Sequence, residues 1–269
     1  MDPSCEYFPD RAVFHGFVPR VMGTKLDFIS VGVPSAEAEA VWKAMTGEAW
    51  RLNSLLDRFD PSSALSALNA SADAGEILPE KELMELILIC ERYRALTGGL
   101  FDISRGSCGE DSVVCGEGRI DLRGGSLDFG GFAKGYFLSR CRAMLLEAGI
   151  RSAYLDFGGS SIFAAGHHPF GPSWKVSLPH PFGNGKLAEF DLVDCSLSVS
   201  GNQPGYSGHI RDPRTQQPVT ARRTCAVIAP DPAEAEVAST AAMVGGRDAI
   251  EVLKKNLDIS EIYLFDLKN

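Results

Sequence analysis

The chain lacks a C-x-x-C pair, a long apolar run and a block of positive charge, and each absence excludes something. Its seven cysteines (Cys5, Cys90, Cys108, Cys115, Cys141, Cys195, Cys225) are odd in number and scattered. That argues against a zinc site or a disulfide framework and fits a reducing compartment. No stretch reaches the ~18 consecutive apolar residues that a membrane-spanning helix needs. The opening decapeptide MDPSCEYFPD has neither a basic n-region nor an apolar h-region. A cytoplasmic location is therefore expected for the chain as it stands, and a periplasmic one if a lipoprotein leader preceded it. Lysine and arginine never exceed two in a row, and the formal net charge is −9, so the electrostatic footprint of a nucleic-acid partner is missing. What is present is 269 residues, 45% hydrophobic and 23% charged, enough for one substantial core or two modest ones.

Periodicity divides the chain into a helix-rich first half and a strand-rich second half. A β-branched run at 24–33 reads as a strand, and Ser35 as the cap of an alanine-rich helix to about Leu56. A helix over 80–96 carries Leu83, Leu86, Ile87, Cys90 and Tyr93 on one stripe and stops at Gly98-Gly99. Another spans 132–147, with Tyr136, Phe137, Cys141, Met144 and Leu145 inward. Strand-like runs follow at 152–157, 161–165, 174–178, 186–192, 196–200 and 223–229, between glycine and proline turns. Asp231-Pro232 is an N-cap with a first-turn proline, opening a helix that ends at Gly245-Gly246. A helix at 247–256 and a strand at 259–265 close the chain. The pattern predicts an α+β fold with mixed or antiparallel sheets and packed helices.

Three stretches carry groups suited to chemistry. In DFGGFAKGY (128–136) the glycines permit close backbone approach, and the helix that follows turns its unpaired N–H groups outward. Lys134 would add a charge for a phosphate, and Asp128 could accept hydrogen bonds from a ligand. A tight strand-to-helix turn with a solvated lysine would look the same. The stretch matches neither G-x-G-x-x-G nor G-x-x-x-x-G-K-[ST], which argues against an NAD-type oxidoreductase. In GHIRDPRTQQPV (208–219), His209 beside an Asp-Pro turn is either a general base or a turn-stabilising histidine. Glu236 and Thr240 lie four apart on one helix face with Ser239 beside them. They are hard oxygen ligands for magnesium or an ordinary exposed face.

Taken in order, MGT (22–24), DRFDPSSALSALN (57–69), TGGLFD (97–102), DFGGFAKGY (128–136), LDFGGS (155–160), SGN (200–202), GHIRDPRT (208–215) and EVAST (236–240) form a series. It resembles the FAD:protein FMN transferase family, also called ApbE, over almost the whole chain from residue 20 on. The resemblance implies an ApbE-like, T-fold-related architecture. Residues 1–20 would be an N-terminal extension, and residues 21–269 a single FAD-binding catalytic domain that two lobes could share. It further implies magnesium-dependent transfer of FMN from FAD to a threonine or serine hydroxyl of a target flavoprotein, releasing AMP. Alternatives are an FAD pyrophosphatase yielding FMN and AMP, and an FAD-binding protein impaired in catalysis.

Carried over by motif, Met22, Phe59, Leu100, Phe101 and Asp102 would line the flavin and adenine surfaces. Asp128, Lys134 and Ile210 would contact FAD. The backbone carbonyl of Gly131, with Glu236, Ser239 and Thr240, would reach the metal, and His209 would assist proton removal. The chain departs from the family pattern at five positions. Phe59 replaces a tyrosine, Glu236 an aspartate, Ser160 the aspartate of GGD, Ser139 an aspartate and Gln216 a glycine.

Overall fold

The computed structural model describes residues 3–106, 114–116, 118–205 and 207–267, so Cys108 and the side chain of Cys115 lie outside the described residues. Strands β1 (Ser4–Phe8), β2 (Val13–Val21) and β3 (Thr24–Val31) come first, followed by helices α1 (Ser35–Leu56), α2 (Ala64–Ala70) and α3 (Lys81–Leu96). Four short strands, β4 (Ser104–Arg105), β5 (Val114–Gly116), β6 (Arg119–Asp121) and β7 (Ser126–Leu127), lead to α4 (Ala133–Glu147). The second half runs β8 (Ala153–Phe157), β9 (Ser161–Ala165), β10 (Trp174–Pro179), β11 (Lys186–Leu192), β12 (Cys195–Gly201) and β13 (Arg223–Ala229). Helices α5 (Pro232–Gly245) and α6 (Ile250–Asn256) precede the last strand, β14 (Glu261–Asp266).

One antiparallel sheet of eight strands, ordered β1-β2-β3-β8-β9-β12-β13-β14, organises the molecule. Because side chains alternate along each strand, the sheet has two apolar faces. Phe28, Leu155, Phe163 and Val227 point into a large core shared with α1, α3, α4 and α5. Ile162, Leu197, Ala226 and Ile228 face the other way, where Trp174, Val176, Phe190 and Leu192 of the β10–β11 hairpin cover them. Helix α1 is held by Ala38, Trp42, Met45, Ala49 and Leu52, spaced alternately four and three apart and all buried. Each large apolar side chain so buried stabilises by about 1.5–3 kcal/mol. The fold is α+β and antiparallel, as the periodicity predicts.

Residues 1–20 are expected from the sequence to be an N-terminal extension; of these, residues 4–8 and 13–20 lie in strands of the main sheet. β1 and β2 pair over Ser4↔Phe17 to Phe8↔Val13, and Phe14, Val18 and Val21 are core residues at 1%, 0% and 1% exposure. Gly16 and Pro19 hide the strand, and each has a reason to be there. A Cβ on Gly16 would stand 2.6 Å from the Trp42 ring, so the strand is thinned where α1 crosses it. Pro19 lies beyond the residues that β1 pairs with and, on the β3 side, inside the irregularity between Val18 and Val21, a position that tolerates a missing N–H. Two smaller differences concern helix starts. Ser35 is the first residue of α1, with its hydroxyl on Glu39 at 2.7 Å, and Pro34 is the cap. The short α2, not anticipated, is capped by Ser63, whose Oγ accepts from Ser66 N at 3.0 Å.

Candidate functional site

A cleft of about 990 Å³ opens at the end of the main sheet, and its walls come from segments far apart in the chain. Met22 stands at the tip of the β2–β3 hairpin, where Met22 and Gly23 both have positive φ (49° and 81°), the geometry of a two-residue turn. Its N–H donates to Asn53 Oδ1 at 2.8 Å, fastening the tip to α1. Gly158, in the β8–β9 turn, lies so close to Thr24 that a Cβ would come within 2.5 Å of the threonine Oγ1. These two turns make one wall. Phe59, 79% exposed, projects from another with the Arg58 guanidinium 4.1 Å above its ring.

Asp128 opens the strand-to-helix turn that leads into α4. Its Oδ1 accepts from Gly130 N at 2.9 Å, and its Oδ2 holds Arg58 at 3.2 Å and Arg105 in a second ion pair. Both arginines line the cleft. Asp128 therefore shapes the glycine turn and presents two cations. Asp102 is similarly committed: Ser104 N donates to it at 2.7 Å and Arg94 pairs with it at 3.0 Å.

At the bottom of the cleft α4 and α5 meet through Gly135, where a Cβ would stand 2.6 Å from both Glu236 Cβ and the Pro232 carbonyl oxygen. That close crossing brings Lys134 Nζ onto Glu236 Oε1 as an ion pair. Glu236 is 4% exposed, and its other oxygen accepts from Ser161 Oγ at 2.5 Å and Ser198 Oγ at 3.0 Å. Ser198 Oγ is bonded in turn to Ser239 Oγ at 3.0 Å, and Ser239 Oγ to Ser200 Oγ at 2.8 Å. Thr240 lies one turn beyond Glu236, and a Cβ on Gly131 would be 3.2 Å from its Oγ1. Glycine at residue 131 thus lets the backbone pass close to the Thr240 hydroxyl and the Phe101 ring.

His209 and Ile210 enter from the loop that follows β12. Asn202, 2% exposed, ties that loop down. Its Nδ2 donates to the carbonyls of Val219 and Ala221 at 2.8 and 2.9 Å, and its Oδ1 accepts from Gly208 N at 3.3 Å. Burial, and then the positive charge of Lys134, lower the His209 pKa from its usual 6.5, which keeps the imidazole neutral near pH 7.

The cleft therefore joins Met22, Phe59, Phe101, Asp102, Asp128, Gly131, Lys134, His209, Ile210, Glu236 and Thr240. Two expected residues do not line it. Leu100 packs against the core at Gly245, where a Cβ would meet its Cδ1 at 2.7 Å. Ser239 is fully buried behind Glu236 with its hydroxyl bonded to Ser198, Ser200 and the Glu236 carbonyl, so it orders the carboxylate's surroundings. Sequence reasoning assigned no part to Arg58, Arg105, Ser161, Ser198 or Asn202. One signal was readable: SLSVSG places serine at every second position of β12, a polar strand face directed at a helix.

A family model described as the ApbE family matches residues 22–112 and 108–264. The chain belongs to the ApbE family. A protein named FAD:protein FMN transferase from Rhodobacter capsulatus is 28% identical over 268 residues, covering 85% of this chain and 51% of that protein. The chain thus spans about half the length of that relative. A protein of the same name from Klebsiella pneumoniae is 25% identical over 84% of this chain and 77% of its own length. Among solved structures, an apo flavinyl transferase ApbE from Pseudomonas stutzeri superposes with a TM-score of 0.78 at 22% identity, covering 100% of this chain and 94% of that one. The flavin transferase ApbE from Vibrio cholerae gives 0.77 at 17% identity, covering 94% of this chain and 97% of that one.

Three of the five positions at which the chain departs from the motif series can be described locally. Gln216, where the resemblance implies glycine, sits at φ 58°, the left-handed region that glycine favours. Ser139 accepts from Ala233 N and donates to Asp231, both at 3.2 Å, joining α4 to the first turn of α5. Phe59 keeps an aromatic face at the mouth of the cleft.

Proposed function

We propose that this chain transfers the FMN moiety of FAD to a threonine or serine hydroxyl of a target flavoprotein and releases AMP, with a magnesium ion at Glu236. The observation that carries the reading is the single cleft. Aromatic Phe59, cations that include Arg58, Arg105 and Lys134, a neutral histidine and a hard-oxygen corner converge there from distant segments. A flat ring system, a pyrophosphate and a reacting hydroxyl together require that combination.

The residues fit the metal. One carboxylate, one hydroxyl and the backbone at Gly131 are oxygen donors of the kind magnesium takes, and a small, partly protein-supplied set suits an ion that shares its remaining positions with phosphates and water. Among the described residues no three His, Cys, Asp or Glu side chains converge on a metal position, so a site built by protein side chains alone is not the pattern here. The ion would supply charge neutralisation on the phosphates. The chain's own part is positional. Arg58, Arg105 and Lys134 hold the pyrophosphate. His209 accepts the proton of the acceptor hydroxyl as its oxygen bonds to the FMN-side phosphorus, and the bond to the AMP-side oxygen breaks.

The test is incubation with FAD, magnesium and a peptide carrying an acceptor threonine, followed by mass spectrometry. A peptide heavier by FMN together with free AMP supports the reading. FMN and AMP formed while the peptide stays unmodified replaces it with pyrophosphatase activity, and FAD left intact overturns it.

A further inference from the structure

We propose that Lys134 is a tethered competitor for the metal. Its ammonium group holds Glu236 in the ligand-free protein and yields it to a metal ion at lower concentration when a dinucleotide offers the ammonium phosphate oxygens instead. The inference deepens the reading above and rests on it.

Glu236 has no freedom to turn. Oε2 is fixed by Ser161 at 2.5 Å and Ser198 at 3.0 Å, both serines 2% exposed, and the chain through Ser239 to Ser200 locks Ser198. Oε1 is what remains for a cation, and Lys134 Nζ is on it. Thr240 and the side-chain-free Gly131, which lie against one another, line the same cleft as Glu236. A divalent ion at Oε1 must therefore displace the ammonium. Lys134 is 20% exposed at the side chain and Glu236 6%. Breaking so enclosed a pair without a new partner for the lysine is costly. Lys134 lines the cleft together with Arg58 and Arg105, so an anion placed there gives the displaced ammonium a partner. Metal and dinucleotide then share the cost of one broken ion pair. Each tightens the other's binding, and the coupling is reciprocal.

The decisive measurement is Mn²⁺ titration of the full chain without FAD, read by electron paramagnetic resonance. Lys134→Met should bind Mn²⁺ more tightly than wild type, by roughly 5- to 150-fold if the coupling is of ordinary size. The double variant Lys134→Met with Glu236→Gln should lose that gain. Unchanged or weaker Mn²⁺ binding by a folded Lys134→Met overturns the proposal. A second measurement needs no variant: in the unaltered chain, saturating Mn²⁺ should speed acylation of Lys134 by an amine-directed reagent, scored by peptide mass mapping. A rate insensitive to Mn²⁺ also overturns it. The two failures are distinguishable. Magnesium-dependent flavin transfer with an unmoved Mn²⁺ affinity sinks only the competition, whereas transfer untouched by chelator sinks the metal reading whatever Mn²⁺ does.

Discussion

Glu236 shows how far a single side chain can be constrained. It receives two serine hydroxyls and one ammonium while being almost wholly removed from water. Glu236→Gln keeps the shape and removes the formal charge. Transfer should fall by about 10²-fold or more, while FAD binding, measured by flavin fluorescence, persists through the aromatic and arginine contacts. His209 carries a different signature. Its pKa is lowered by burial first and by Lys134 second, so the acid limb of kcat/KM against pH should have its midpoint below 6.5, with a plateau through pH 7. In Lys134→Met one of the two causes is gone, and the limb should move up toward 6.5, as should the imidazole titration followed by NMR. The same linkage fixes a sign for stability. With the folded pKa depressed, the contribution of His209 is fully present above the ordinary histidine range and is lost as pH falls through it toward the folded value. Most of the residues proposed for the site that line the cleft were visible in the motifs. Their partners were not, because Ser161, Ser198 and Arg105 acquire meaning only when strand faces and helix turns are set opposite one another.

At the scale of elements, the crossing of α4 and α5 sets the site. Gly135 lets the two helices approach until Glu236 Cβ and the Pro232 carbonyl stand where a methyl group would be. Gly135→Ala should lower unfolding free energy by roughly 1–3 kcal/mol, the usual cost of overpacking. Because α4 carries Lys134 and α5 carries Glu236 and Thr240, transfer should suffer more than the stability loss explains at temperatures where the protein is still folded. Calorimetry and rate measurement on one preparation check both. Elements with strong periodic stripes or clear punctuation were legible: α1, α3, α4, and β9, β11 and β13 agree with the sequence reading to within a residue or so. Asp231 caps α5 as expected, its carboxylate accepting from Ala233 N at 2.9 Å and Glu234 N at 3.2 Å. The strands at the start escaped because a glycine and a proline inside nine residues read as breakers. The ring of Trp42, the end of the β1 ladder and the β2–β3 irregularity between Val18 and Val21 explain them.

For the whole molecule, the cleft is a product of strand order. The sheet sets β3 beside β8 and β9 beside β12, so turns and loops distant in sequence share one end. A ligand bridging them should stabilise the entire fold. At FAD a hundredfold above its Kd, linkage gives about 2.7 kcal/mol, which for a chain of this size is a rise of roughly 5–10 °C in Tm. A thermal melt with and without FAD measures it, and no shift would speak against binding. Fold class was readable because helix and strand periods separate cleanly along the chain. Strand neighbours were not, since nothing local in β3 specifies β8.

The β1–β2 hairpin carries a practical warning for anyone cloning this protein. Similarity to the family model begins at residue 22, an inviting place to set a start codon. A gene trimmed there would discard the partner strand of β3 and remove Phe14, Val18 and Val21 from the core. It would also leave the Trp42 indole facing solvent on one side and a naked strand edge ready to pair with other chains. Such a fragment should accumulate in inclusion bodies, whereas one beginning at residue 3 should remain in the soluble fraction of the lysate.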